Sequence, residues 1–261
     1  MKIDLKIGLY IVTALFLCSC IPNKKVIYFP DPAFNYNRPT AIPNGNSTYF
    51  LQPGDVVNIR IKTLDKETAD YFNIMPENGL LNFTNPGFYI NSYSIDLDGT
   101  IDLPEAGKVE VAGLSVNQAQ ELVKNILQPY LSNASILLKL VSFKITVLGE
   151  VNNPGYYFIY NDQATLLEGL GLAGDLTDFG NRENITIIRQ VDEGSEAILV
   201  NLKDPKVLAS EYYYLKPNDV VYVQPLKAKN TRNNLNTFTL SSIVFGAVSS
   251  TLLILSYLDD N

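Results

Sequence analysis

The stretch that most constrains the fold runs from Val147 to Arg189, VLGEVNNPGYYFIYNDQATLLEGLGLAGDLTDFGNRENITIIR. Its punctuation leaves few arrangements open. Val147, Val151, Tyr156 and Phe158 are strand formers, and Asn152, Asn153, Pro154 and Gly155 between them are turn residues, so the stretch opens as a hairpin. Thr165, Leu166, Leu167, Leu170 and Leu172 then set apolar groups at helical spacing until Gly174 and Asp175 stop the run. A second turn is expected at Gly180 and Asn181. Ile185, Ile187 and Arg189 return the chain to a strand, in an alternation with Thr186 that Ile188 weakens.

A second pattern precedes this module. In YFLQPGDVVNIRI, from Tyr49 to Ile61, Pro53, Gly54 and Asp55 make a tight turn, and Val57, Ile59 and Ile61 alternate with Asn58, Arg60 and Lys62 as in a half-buried strand. YYLKPNDVVYVQP, Tyr213 to Pro225, repeats that turn and strand, which points to two related β modules. Leu64 to Tyr89 has poor periodicity and reads as irregular, an insertion. In YSIDLDGTIDLPEAGKVEVAGLS a loop of Leu97, Asp98 and Gly99, with Gly99 left-handed, pairs Ile95 with Ile101 and Asp96 with Thr100. Pro104 and Gly107 turn the chain toward a strand at Val109 and Val111. Ser115 caps a helix with Gln118 three residues on, and Ala119, Leu122, Val123, Ile126 and Leu127 form its buried face before Pro129. The class expected is α+β, two small β-rich domains.

GEVNNPGYY and LAGDLTDFGNRENITIIR resemble the SLBB domain (soluble ligand-binding β-grasp) of bacterial polysaccharide export proteins. The preceding stretch, from LQPGD through the helix to the strand Ile136 to Val141, resembles the polysaccharide export (PES) domain. PES followed by SLBB is the arrangement of Wza-type outer-membrane export lipoproteins. That resemblance implies rings of subunits, an octamer in the family, and an inner-membrane polysaccharide co-polymerase or tyrosine kinase as partner. This chain has room for one clear SLBB copy, where the Wza type carries further SLBB-like repeats.

Both ends suggest membrane attachment. Lys2 and Lys6 followed by the apolar run Ile7 to Leu17 suit a signal peptide. Leu17, Cys18, Ser19 and Cys20 resemble the bacterial lipobox, which implies lipidation of Cys20; Cys18 would leave with the signal, so no disulfide forms in the mature chain. The Pro-rich stretch Pro30 to Ser47 reads as a tether. Phe238 to Leu258 carries no charged side chain, and as a helix would extend roughly 31 Å, about one hydrocarbon core. Ser242, Gly246, Ser249, Ser250 and Ser256 gather toward one side of it as a candidate pore or helix-packing face. The expected organisation is signal peptide 1–19, lipidated tether 20–46, PES domain 47–142, SLBB domain 143–226, linker 227–237, C-terminal transmembrane helix 238–258 and tail 259–261.

Composition excludes several function classes. The chain has 261 residues, 46% of them apolar, enough for two cores, and a net charge of -7 without a basic cluster, which argues against a nucleic-acid surface. It has no histidine, which removes imidazole from any triad or metal site. Asp96, Asp98, Asp102 and Glu105 form the one carboxylate grouping of glycosidase type, and turn formation with a solvated hairpin face explains it better. Gly169, Gly171 and Gly174 sit in or after a helix, as packing and termination residues rather than a phosphate loop. Tyr156, Tyr157, Tyr212, Tyr213 and Tyr214 fall in predicted strands, where packing is the commoner role than sugar stacking. No enzyme, cofactor or metal is expected. The expectation is a subunit of an oligomeric outer-membrane channel exporting capsular or exopolysaccharide, lipid-anchored with its domains in the periplasm. The alternative is a periplasmic polysaccharide-binding or scaffolding lipoprotein without its own pore.

Overall fold

The computed structural model describes residues 27–30, 39, 41–43, 48–64, 71–74, 91–131, 133–191, 193–227, 241–243 and 245–250. Two apolar cores organise them. The first lies under a three-stranded antiparallel sheet of order β2-β1-β5, built from β1 (Val56–Lys62), β2 (Tyr93–Ser94) and β5 (Ser135–Leu140). Strand β1 forms because Val57, Ile59 and Ile61 all fall on one face, where each is 5% exposed or less. The hairpin β3 (Thr100–Leu103) and β4 (Gly107–Glu110) adds Ile101, Leu103 and Val109. Helix α1 (Val116–Leu127) closes this core with Ala119, Val123 and Leu127, its half-buried Leu122 and Ile126 packing at the margin. Its start is the predicted capping box: the Gln118 amide donates to Ser115 Oγ and the Ser115 amide to Gln118 Oε1.

Of the predicted tight loop, the Asp96 amide donates to the Thr100 carbonyl at 2.9 Å, and Gly99 is left-handed at φ +82°. Of the irregular segment 64–89, residues 71–72 are helical and Phe72 is buried in the first core, while 65–70 and 75–89 lie outside the described residues.

The second core lies under a five-stranded mixed sheet of order β10-β9-β12-β6-β7. Its strands are β6 (Lys144–Gly149), β7 (Gly155–Phe158), β9 (Gly180–Val191), β10 (Gly194–Val200) and β12 (Val220–Pro225), with β12 parallel to β6 and every other pair antiparallel. The predicted hairpin is β6-β7, paired from Val147↔Gly155 to Lys144↔Phe158. Helix α2 (Leu166–Leu172) packs Leu166 and Leu170 onto the sheet, and its cap Thr165 forms a second capping box with Glu168. A two-residue pair, β8 (Ala164–Thr165) with β11 (Tyr214–Leu215), ties the helix start to the strand approaching β12.

Two expectations need correction. Gly180 and Asn181 are the first residues of β9, because the turn falls earlier, where the Gly180 amide donates to the Thr177 carbonyl. Tyr212 and Tyr213 sit in a 3-10 turn, Glu211–Tyr213, with Ser210 as its cap, rather than in a strand.

The repeated turn is the same structure twice. In LQPGD the Asp55 amide donates to the Gln52 carbonyl at 3.1 Å, and in LKPND the Asp219 amide donates to the Lys216 carbonyl at 3.1 Å. The left-handed position is Gly54 in one (φ +90°) and Asn218 in the other (φ +67°). Each aspartate also accepts from the amide three residues back, at 3.0 Å in the first and 2.8 Å in the second. The cores meet where β5 runs into β6: Leu140 packs against both, and Lys139 Nζ bridges to Asp162 at 2.9 Å on the surface.

Candidate functional site

The predicted helix face is partly described. Residues 241–243 and 245–250 are helical, and Ser242, Gly246, Ser249 and Ser250 are exposed on that stretch, as are Ile243, Phe245 and Val248. Ser250 Oγ donates to the Ala247 carbonyl at 2.9 Å, and among the described residues nothing beyond the local helix backbone comes within 4 Å of where a Cβ on Gly246 would stand. Cys20 and Ser256 lie outside the described residues. No helix of the described residues is long and apolar enough to cross a membrane. The predicted transmembrane helix therefore has no support from the described residues.

Two of the carboxylates at the first hairpin are engaged in contacts of their own. Asp98 is tied into its own turn, accepting from Thr100 Oγ1 at 2.7 Å and from Lys108 Nζ at 2.7 Å. The Lys108 hydrogen bond, then that of Thr100, hold its carboxyl down at about 2, far from the proton-donating range a glycosidase acid requires. Glu105 stands at a left-handed turn position, φ +60°, and accepts from the Tyr71 hydroxyl at 2.8 Å. Among the described residues no group of three His, Cys, Asp or Glu could hold a metal ion.

The predicted glycine roles separate. A Cβ on Gly169 would stand 2.8 Å from both Ile145 Cδ1 and Leu215 Cδ1, so this glycine is a packing residue. Gly174, at φ +74°, ends α2. Gly171 has open space beside it and lines a groove of about 480 Å³ with Phe158, Tyr160, Gln163 and Leu172 at the rim of the second domain. Tyr160 is 79% exposed there, and Tyr156 is 68% exposed on β7, more solvated than packing predicts for a strand tyrosine.

The sequence gives little sign of the buried charges. Arg189, read as a strand residue, is 5% exposed and forks onto Asp219, with Nε to Oδ1 at 3.0 Å and Nη2 to Oδ2 at 2.7 Å. It also donates to the Tyr214 carbonyl, so one guanidinium joins β9, β11 and the turn before β12. Asp55, in the matching turn, instead accepts from Tyr49 Oη at 2.8 Å and Ser142 Oγ at 3.3 Å, and burial pushes its carboxyl above the ordinary range against the pull of those hydrogen bonds. The alternation of apolar and polar residues could have flagged Arg189, since Ile187 is inward and position 189 shares its face.

The region read as tether also makes structure. Tyr28 and Phe29 pack on the second core; the Phe29 amide donates to the Leu202 carbonyl at 3.2 Å, and the Tyr28 hydroxyl donates to Asp175. The guanidinium of buried Arg182 lies 5.0 Å from the Tyr28 ring centroid, while its Nε makes no hydrogen bond among the described residues. Burial, then Asp175, push the Tyr28 phenol upward, so it is neutral at any physiological pH. Phe29 holds φ +46°, a strained conformation for a bulky residue that persists because its surroundings fix it.

Comparison with known proteins matches this two-core layout. Residues 43–141 match the family described as polysaccharide biosynthesis/export protein, and residues 143–223 match the SLBB domain. The EPS I polysaccharide export outer membrane protein EpsA of Ralstonia nicotianae is 39% identical over 83 residues, 31% of this chain and 22% of that relative. The polysialic acid transport protein KpsD of Escherichia coli is 32% identical over 116 residues, 43% of this chain and 17% of that relative. The match thus spans about a fifth of the length of these relatives, at 22% and 17%. The chain thus carries a polysaccharide biosynthesis/export domain that runs directly into an SLBB domain.

Proposed function

We propose that the chain is one subunit of an oligomeric outer-membrane conduit that passes a capsular or extracellular polysaccharide outward. The observation that carries this reading is the direct succession of the two matched domains, each with its own apolar core, in a chain similar to two proteins named for polysaccharide export or transport. Lipid on Cys20 anchors the start of the mature chain in the outer membrane, and a helix over Phe238 to Leu258 anchors its end. The two domains lie in the periplasm. A single helix cannot enclose a channel, so the helices of several copies gather with Ser242, Gly246, Ser249, Ser250 and Ser256 turned together, small residues that allow close approach. The conduit is passive: synthesis of the polymer and an inner-membrane co-polymerase or tyrosine kinase supply the drive.

The test is native mass spectrometry of the lipidated protein extracted in detergent, with and without residues 238–261. A closed ring, with eight copies as the family number, supports the conduit, and its survival after truncation assigns assembly to the two folded domains. A monomer or dimer in both samples overturns it in favour of a lipoprotein that binds or scaffolds without a pore. Gly246→Leu should then lower export if the helices form a wall and leave it intact if each is an anchor alone.

A further inference from the structure

The outer face of the five-stranded sheet is apolar where an antiparallel-rich sheet normally turns polar residues to water. The registers set two rows across it: Leu199, Thr186, Tyr222 and Leu148 in one, and Ala197, Ile188, Val220, Thr146 and Tyr156 in the next. Neither row holds a charged side chain. Leu199 is 64% exposed, Tyr156 68%, Leu148 42%, Ile188 40% and Tyr222 38%, so these groups stand in solvent rather than in either core. The corresponding face of the first domain's sheet differs, since Arg60, Lys62 and Lys139 project from it.

We infer that this sheet face is the surface by which one copy of the chain packs against a second copy, an inference that rests on the oligomer of the proposed function. Two features select that occupant. The full sequence has a formal net charge of -7, and this face adds no negative charge, its two rows being neutral and the exposed Lys144 beside them positive, so it does not repel a second copy. The five strands, ~4.8 Å apart, make the face about 24 Å wide. The five exposed side chains supply on the order of 500 Å² of apolar surface, more than half of the ~800 Å² each partner contributes to a standard stable interface. The polar residues bordering the two rows complete it. In a closed ring the contact is heterologous, so this face meets a different surface of the neighbouring copy.

The experiment uses the full lipidated chain with p-benzoylphenylalanine in place of Leu199, irradiated in detergent, together with the double variant Ile188→Glu, Leu199→Glu. The expected results are an adduct of twice the protomer mass and, for the double variant, conversion of the oligomer to monomer with an unchanged circular dichroism spectrum and melting curve. An adduct to residues 228–261 of the same chain, or to detergent or lipid, overturns the inference, because another occupant then covers the face. A double variant that folds and keeps the parent oligomer also overturns it while leaving the conduit standing. A parent chain that is itself a monomer sinks both readings.

Discussion

Replacing Arg189 with alanine leaves the Asp219 carboxylate at 0% exposure, with the Lys216 amide but without its guanidinium. Breaking a buried pair this way costs about 3–5 kcal/mol, and Arg189→Ala should lower the urea midpoint accordingly. Arg189→Lys should recover only part of the loss, because an ammonium cannot fork onto both oxygens. Asp55 sits in the same turn without a lysine or arginine at salt-bridge distance among the described residues, and the consequence is a dependence on acidity. Its folded-state pKa is raised, chiefly by burial, so the folded protein keeps a proton that the unfolded chain has already lost. Stability tied to Asp55 is therefore greatest below the ordinary carboxylate value of ~3.9 and falls as pH rises from there through the raised folded value. The difference in urea midpoint between the parent and Asp55→Asn should narrow or reverse across that window, measured at a series of pH values. A difference that stays constant contradicts the assignment.

Helix α2 offers a paired test within one turn. Gly169→Ala pushes a methyl group to 2.8 Å from Ile145 Cδ1 and Leu215 Cδ1, which should destabilise by about 1–3 kcal/mol despite alanine's better helix propensity. Gly171→Ala, with open space, should stabilise by up to about 1 kcal/mol. Thermal denaturation of the two variants should therefore move in opposite directions. Elements of this kind were readable in the sequence because their signals are local: Ser115 and Gln118 announce α1, Asn152 to Gly155 announce the β6-β7 turn, and Gly54 with Asp55 announces β1. The start of β9 was misplaced because Gly180 and Asn181 have turn chemistry while the hydrogen bond that closes the turn runs from Gly180 back to Thr177. Tyr212 and Tyr213 were misplaced because the Ser210 cap overrides their strand preference. The fork of Arg189 onto Asp219 joins residues 30 apart, and no window on the sequence spans it. Ile188, which weakened the expected alternation, does so because both of its neighbours face the core and it belongs to the outer rows.

Among the described residues, the longest hydrogen-bonded reach is made by Phe29, whose amide donates to the Leu202 carbonyl, and beside it the Tyr28 hydroxyl donates to Asp175, 147 positions away. Removing both aromatic side chains, Tyr28→Ala with Phe29→Ala, should destabilise the second domain by about 1–3 kcal/mol, because Arg182 loses its ring and the half-buried contacts of Phe29 go with it. Urea denaturation should show the midpoint of the second domain lowered and that of the first unchanged; an equal shift in both would contradict the attachment. The clamp also sets the length of a mooring line. If lipid on Cys20 fixes the start of the mature chain, only seven peptide steps separate it from Ile27, and a chain that short reaches at most about 25 Å. Without the clamp, the next fixed position would be Phe50, bridged to Ser115, and the reach would grow to at most roughly 105 Å. On that condition the short line would hold the second domain of each copy in a thin layer against the lipid, and so raise the local concentration at which copies meet.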